Sequence, residues 1–245
     1  MGFYEEISRY YDLIFPVGEE QVKFIKEAAG PEGSKVLDVA CGAGGYSAVL
    51  AEAGYRMTAV DIDSAMVERA REKFESRSLT VHTEQADMKE LTGNIAGKFK
   101  CAFCIGNSIV HLGSTGDILT ALKQMYSLLE ESGTLVLQII NYDRILKQGV
   151  NELPPIHDPA AGIDFIRKYQ HDKEKGVVNF NTVLQVAREG SPKVFENSIE
   201  LLPLLSNKMM ELLEQARFKK IKFYGDFNKA PFTDSSYMLV AKAVK

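Results

Sequence analysis

The sequence predicts an α/β fold built on a doubly wound, mostly parallel sheet, and three observations carry that expectation. Short apolar runs alternate with amphipathic segments from Lys35 to Ile140. The first of these runs ends in a glycine-rich turn that opens a helix. Acidic residues, Asp38, Asp61 and Asp87, recur around the ends of successive strands, where an open parallel sheet gathers its ligands.

Taken in order, Phe3, Ile7, Tyr10, Tyr11 and Ile14 recur at helical spacing and predict a helix over residues 3–15, with a second over Glu19 to Ala29. Pro31 and Gly33 break the chain. Strands are expected at Lys35 to Val39, Arg56 to Val60, Leu79 to Thr83, Phe99 to Ile105 and Thr134 to Ile140, with helices at Gly44 to Ala53, Ser64 to Glu75 and Thr115 to Leu129. Such alternation implies right-handed crossovers and helices on both faces of the sheet. After Tyr142 the period changes to two: Ile163, Phe165 and Arg167, then Val178 to Val186, then Val194 to Glu200. Turn signals at Lys173 to Gly176 and Gly190 to Pro192 separate these runs and predict an antiparallel insert of three strands. A helix from Ser206 through Arg217 and strands at Lys220 to Tyr224 and Tyr237 to Ala243 complete the chain. The expected organisation is one domain: a core of about 30–142 and 204–245, a cap insert of about 143–203 and an N-terminal lid helix of about 3–15.

Composition narrows the function. A chain of 245 residues buries one large core and leaves little room for two independent domains. No apolar run approaches the roughly 20 residues of a membrane span, and Met1 to Glu6 lack the basic start and apolar stretch of a signal peptide, so a cytoplasmic protein without a membrane partner is expected. A net charge of −4 speaks against a broad phosphate-contacting face, hence against nucleic acid and for a small-molecule substrate. Cys101 and Cys104 form a C-x-x-C pair, but their odd separation on a strand points them to opposite faces, so no metal is expected. Nothing in the sequence sets an oligomeric state.

The segment Val36-Leu37-Asp38-Val39-Ala40-Cys41-Gly42-Ala43-Gly44-Gly45 joins a strand to a helix through a turn in which Gly42 and Gly44 allow close approach of a ligand. A nicotinamide-dinucleotide loop would place its third glycine or alanine at Ser47, so that fingerprint is incomplete. Asp61 stands where a carboxylate can accept both hydroxyls of a ribose. Asp87 followed by Met88 suits an adenine, with the acid on the exocyclic amine and the apolar side chain over the ring. Asp38 favours a nearby ammonium. Together they describe a nucleoside joined to an amino-acid moiety.

These stretches, L-D-V-A-C-G-A-G, V-D-I-D-S-A-M and Q-A-D-M, resemble motifs I, II and III of class I S-adenosylmethionine-dependent methyltransferases. The resemblance implies a Rossmann-like doubly wound seven-stranded sheet with an antiparallel last strand, plus a small antiparallel β cap insert. It implies S-adenosylmethionine as cofactor, with the methionine part over Gly42 and Gly44, ribose on Asp61, adenine flanked by Ile62 and Met88, and Ala40, Met66 and Ile105 also in the cofactor set.

Further on, G-N-S-I-V-H-L (Gly106 to Leu112) and N-Y-D-R-I-L (Asn141 to Leu146) resemble glycine and sarcosine N-methyltransferases. This likeness implies that Asn107 orients substrate, that His111 lines the sulfonium pocket, and that Tyr11, or alternatively Tyr10, closes over the cofactor. The family's carboxylate-gripping arginine before N-Y-D is Ile140 here, so a guanidinium must come from elsewhere, with Arg144 and Arg167 as the candidates. A neutral His111 suits proton acceptance, and His157 is a second candidate. The expected function is methyl transfer from S-adenosylmethionine to a small molecule, with an amine nitrogen among the acceptors. The alternatives are a nicotinamide-dependent oxidoreductase and a non-catalytic S-adenosylmethionine-binding module. A nucleic-acid methyltransferase would call for a basic patch and an N-P-P-Y type motif that the chain lacks.

Overall fold

The computed structural model describes residues 10–187 and 193–245. Its larger sheet has seven strands: β1 (Lys35–Val39), β2 (Arg56–Asp61), β3 (His82–Gln85), β4 (Phe99–Cys104), β5 (Leu129–Ile140), β10 (Lys219–Tyr224) and β11 (Met238–Val244). Their order is β10-β11-β5-β4-β1-β2-β3. The strands β1 to β5 pair in parallel, while β11 runs antiparallel to both β5 and β10. The chain winds outward through β2 and β3 and then returns to lay β4 against the other side of β1. This reversal opens a crevice at the carboxyl ends of β1 and β4, the place where such sheets bind ligands.

The helices are α1 (Glu19–Ala29), α2 (Gly45–Glu52), α3 (Ser64–Ser76), α4 (Leu91–Asn94), α5 (Thr115–Leu128), α6 (Tyr142–Gln148) and α7 (Ser206–Gln215), with a 3-10 turn at Ser108–His111. Central strands are covered on both faces. Val36, Cys101 and Phe103 pack with Phe24 and Ile25 of α1, whereas Leu37, Ala102 and Cys104 pack with Ile118, Leu122 and Met125 of α5. Cys101 and Cys104 therefore stand on opposite faces, as strand alternation requires.

Two strands of the large sheet begin three or more residues away from the sequence expectation. The third strand begins at His82 rather than Leu79, because Leu79 N–H closes the end of α3 on Phe74 O at 2.9 Å. The fifth begins at Leu129 rather than Thr134; Ser132, at φ 64°, and Gly133 lie in an irregular stretch between the Phe99↔Leu129 and Cys101↔Thr134 pairs. Such local register shifts carry no periodic signature.

The second sheet has four antiparallel strands, not the expected three: β6 (Glu152–Asp158), β7 (Ile163–Asp172), β8 (Val177–Val186) and β9 (Lys193–Leu201). Pro154 and Pro155 hide β6 in the sequence, since proline donates nothing to a ladder. The fold tolerates them because β6 is an edge strand and both prolines fall in the register shift between Leu153↔Arg167 and Ile156↔Phe165. The predicted turn at 190–192 lies outside the described residues.

Residues 10–14 are helical, and Phe3 and Ile7 of the predicted helix lie outside the described residues. Ile14, only 1% exposed, packs with Ala43 and Met66 of the large layer and with Ile163, Phe165, Leu184 and Val186 of the small sheet. Phe15 meets Phe165 edge-on with ring centroids 5.7 Å apart. The N-terminal segment is thus wedged between the two sheets.

Ala40, which follows β1 directly, adopts φ 60°. A side chain in the left-handed region costs roughly 1–2 kcal/mol, so glycine suits this position better than alanine. Ala40→Gly is expected to stabilise the fold by about 0.5–1 kcal/mol after the extra chain entropy of glycine is deducted, raising the melting temperature by about 1–4 °C. A thermal melt with an unchanged or lower midpoint would refute the strain at Ala40.

Candidate active site

The glycine turn has two glycines with different reasons. At Gly42, φ is 54° and an added Cβ would lie 2.7 Å from the Tyr11 hydroxyl. At Gly44, φ is 73° and a Cβ would lie 2.6 Å from Phe74 Cζ and 2.9 Å from Ala70 Cβ. The first lets the N-terminal segment close over the loop, and the second lets α3 pack beneath it. Tyr11 rather than Tyr10 makes this approach. Burial, with Asp61 and Asp38 adding their charge, pushes the Tyr11 phenol well above its usual value, so it remains an O–H.

The turn is tied to the second strand by Gly42 N–H, which donates to Asp61 Oδ2 at 2.8 Å, while Asp63 N–H donates to Asp61 Oδ1 at 3.0 Å. Each carboxylate oxygen keeps a lone pair for one more donor, which is what two vicinal hydroxyls require. Burial pushes the Asp61 carboxyl up, with these backbone bonds acting against the rise. Asp38 is buried at 3% exposure and accepts the Ser47 hydroxyl at 2.7 Å. Burial pushes its carboxyl up to about 7, opposed by the Ser47 bond and helped by Asp61. Ser47, the residue that breaks the dinucleotide fingerprint, thus serves Asp38.

Beside this turn lies a cavity of about 310 Å³ lined by Ala40, Asp61, Ile62, Asp87, Met88 and His111 among others. Ile62 is 65% exposed, an apolar side chain held open next to a carboxylate. Asp87 accepts Lys89 N–H at 2.8 Å, and Lys89 Nζ lies between Asp87 Oδ2 at 3.8 Å and Asp117 Oδ1 at 3.7 Å. Sequence reasoning singled out neither Lys89 nor Asp117, since their meeting depends on α5 crossing the strand ends. Tyr11, Asp38, Gly42 and Gly44 form the adjoining wall rather than the cavity lining. Met66 and Ile105 also lie off the lining and pack into apolar clusters. A larger groove of about 580 Å³ runs beside Val17, Val22, Lys23 and Val49 and contains none of the expected site residues.

At the ends of β4 and β5, Gln138 holds the connecting turn, accepting Gly106 N–H on Oε1 at 2.7 Å and Asn107 N–H on its carbonyl at 3.1 Å. Asn107, at φ 69°, accepts Ile140 N–H on Oδ1 and donates from Nδ2 to the Tyr142 hydroxyl, each at 3.1 Å. Most of its amide is therefore committed to the scaffold, and one N–H is left over. Tyr142, 1% exposed, was not singled out by the sequence; as it accepts from Asn107, its own O–H remains free to donate. His111 sits at the cavity rim, open to solvent on one side, yet surrounding protein pushes its imidazole below the usual value and keeps it neutral near pH 7. His157 pairs with Asp164 on the outer face of the small sheet, away from this cavity. Arg144 is turned onto the ring of Tyr237, 5.2 Å from its centroid.

The state of Asp38 has a measurable sign. Its carboxyl, near 7 in the fold and about 3.9 in an unfolded chain, binds a proton on folding across that interval, so stability falls as pH rises from about 4 to about 7. Asp38→Asn keeps the Ser47 bond and is expected to flatten the dependence of melting temperature on pH over this window and to melt higher at pH 8. Parallel profiles for the two proteins would count against a buried, proton-binding Asp38.

A family model described as a methyltransferase domain matches residues 36–133. A glycine/sarcosine N-methyltransferase of Halorhodospira halochloris is 30% identical over 234 residues, covering 96% of this chain and 83% of that protein. One from Aphanothece halophytica is 29% identical over 241 residues, covering 98% and 86%. The fold is similar to that of an S-adenosylmethionine-dependent methyltransferase from Clostridium acetobutylicum, with a TM-score of 0.83, 18% identity and 99% of each chain covered. The relatives extend along almost the whole chain, through the glycine turn and the acids it holds, and the protein belongs to the class I S-adenosylmethionine-dependent methyltransferases.

Proposed function

We propose that this methyltransferase acts on an amine nitrogen of a small molecule, with its methyl donor held at the ends of β1, β2 and β3. The observation that carries the reading is Asp61, fixed by Gly42 and Asp63 with one lone pair left on each oxygen, beside the open apolar face of Ile62. An acid for the ribose hydroxyls and an apolar cover for the base lie side by side, which fits the donor's nucleoside. In this reading Asp87 and Met88 take the adenine, Ala40, Gly42 and Gly44 border the methionine part, and Asp38 faces its ammonium. Met66 and Ile105 support these walls from behind.

Bound S-adenosylmethionine supplies a methyl group already activated by a sulfonium. The chain's part is to hold the acceptor in line with it, a service worth roughly 7–11 kcal/mol when alignment is good, against roughly 10² to 10⁴-fold from a general base. Asn107 acts as a positioning residue, setting the turn and Tyr142 at the acceptor side. An amine is protonated at neutral pH and must lose a proton before it attacks; neutral His111 at the rim is the acceptor we assign to it. Tyr11 and the small sheet close over the site as a lid and cap on a single methyltransferase domain, excluding water. The amine is supported by the names of the relatives at about 30% identity, which are N-methyltransferases. A small-molecule acceptor rather than nucleic acid is in keeping with the net charge of −4, and a cytoplasmic setting goes with it.

Two measurements test this reading. Asp61→Ala is expected to weaken S-adenosylmethionine binding at least 100-fold in calorimetry, roughly the loss of two hydrogen bonds to a charged group; near wild-type affinity would remove the ribose assignment. His111→Asn is expected to lower kcat about 100-fold with donor affinity preserved. In the wild type kcat should fall further as His111 gains its proton, at a pH lower than for an ordinary imidazole, and the variant should lack that step. A variant as fast as wild type at every pH would eliminate His111 as proton acceptor.

A further inference from the structure

The inner face of the small sheet is apolar at both ends and polar across its middle. Alternation turns Ile163, Phe165, Arg167 and Tyr169 of β7 to the same side as Val178, Phe180, Thr182, Leu184 and Val186 of β8. Register sets Arg167 opposite Thr182, and Thr182 opposite Asn197 of β9. On one side of this row Phe165 and Leu184 pack with Ile14, Ala43 and Met66, beside the glycine turn. On the other, Tyr169, Val178 and Leu201 pack with Ile109, Val110 and Tyr142, at the ends of β4 and β5. The row therefore lies between the two places where the small sheet meets the large one, one beside the glycine turn and the other at the ends of β4 and β5.

Two atoms in this row find no partner among the described residues. Arg167 Nε and Thr182 Oγ1 are buried and accept or donate no hydrogen bond there, and Thr182 as a whole is 2% exposed. Arg167 is not loose: its Nη2 donates to Pro154 O at 2.7 Å, the carbonyl at the proline kink of β6. Among the described residues it joins no ion pair. Folds rarely leave an adjacent buried donor and hydroxyl unpaired unless something else pairs them. A guanidinium with open N–H groups beside a hydroxyl is matched by a carboxylate, which takes the fork on two oxygens and the hydroxyl's proton on a spare lone pair. Nearer the strand ends, Ile140 offers no charge and Arg144 is engaged with Tyr237.

We propose that Arg167 and Thr182 form the subsite for a carboxylate of the methyl acceptor, which makes that acceptor a small amine carrying an acid group, gripped from the cap rather than from the sheet. The proposal rests on the reading of the enzyme as an amine methyltransferase.

The full chain is assayed for S-adenosylhomocysteine formation with glycine, sarcosine and β-alanine, and with methylamine, ethanolamine and glycinamide as counterparts without the acid. The acids are expected to be preferred by roughly 100-fold or more in kcat/KM. Arg167→Met should erase that preference through KM, with kcat for the neutral amines and S-adenosylmethionine affinity unchanged. Thr182→Val, close to isosteric, should raise KM for the acids by roughly tenfold and guards against a folding defect in the arginine variant. Equal use of acids and neutral amines, or an undiminished preference in Arg167→Met, overturns the subsite. So does a loss of S-adenosylmethionine affinity in that variant, which would give the arginine to the donor's own carboxylate. If no amine is methylated, the amine reading falls by itself. The subsite is then decided by calorimetry of the same acids with S-adenosylhomocysteine present: binding that Arg167→Met abolishes supports it, and absent or unaltered binding overturns it.

Discussion

A carboxylate drawn into a protein interior must find donors, and the bond from Gly42 N–H to Asp61 Oδ2 meets that need at the point where the first two strands end. Much of the site depends on it. To reach Asp61 the chain after β1 turns back through positive φ at Ala40, Gly42 and Gly44. That path leaves no room for side chains at the two glycines, and Tyr11 and Phe74 occupy the space instead. Tyr11 in turn places Ile14 and Phe15 against Phe165, so the small sheet is docked through the same turn that holds the acid.

The three strand-end acids differ because their surroundings differ. Asp38 lies deepest, has one side-chain partner in Ser47, and holds its proton up to about 7. Asp61 is bracketed by two backbone N–H groups, which favour the charged form against burial. Asp87 stays half-open to solvent and shares Lys89 with Asp117. Burial and the number of donors thus set Asp38 and Asp61 apart.

The small sheet shows how an apparent defect becomes a device. Two successive prolines cost β6 its ladder donors, yet the kink they cause presents the Pro154 carbonyl that anchors Arg167. The guanidinium is thereby held on a face otherwise given to packing, with no anionic partner among the described residues.

The sequence by itself determined the alternation of strands and helices, the glycine turn and the acids beside it, because each is written in a short window: a period, a conformation only glycine adopts cheaply, a residue type at a strand end. It also led to the antiparallel closing hairpin. Tertiary structure decided what depends on segments far apart in the chain. Arg144 and Arg167 are equivalent candidates by sequence, but one is turned onto Tyr237 and the other faces inward beside Thr182. His157 pairs on an outer face while His111 reaches the cavity. Asn107, expected at the substrate, is largely spent on Ile140 and Tyr142. In every such case register and burial choose the side chain's partners, and both are set by packing between elements that no local pattern encodes.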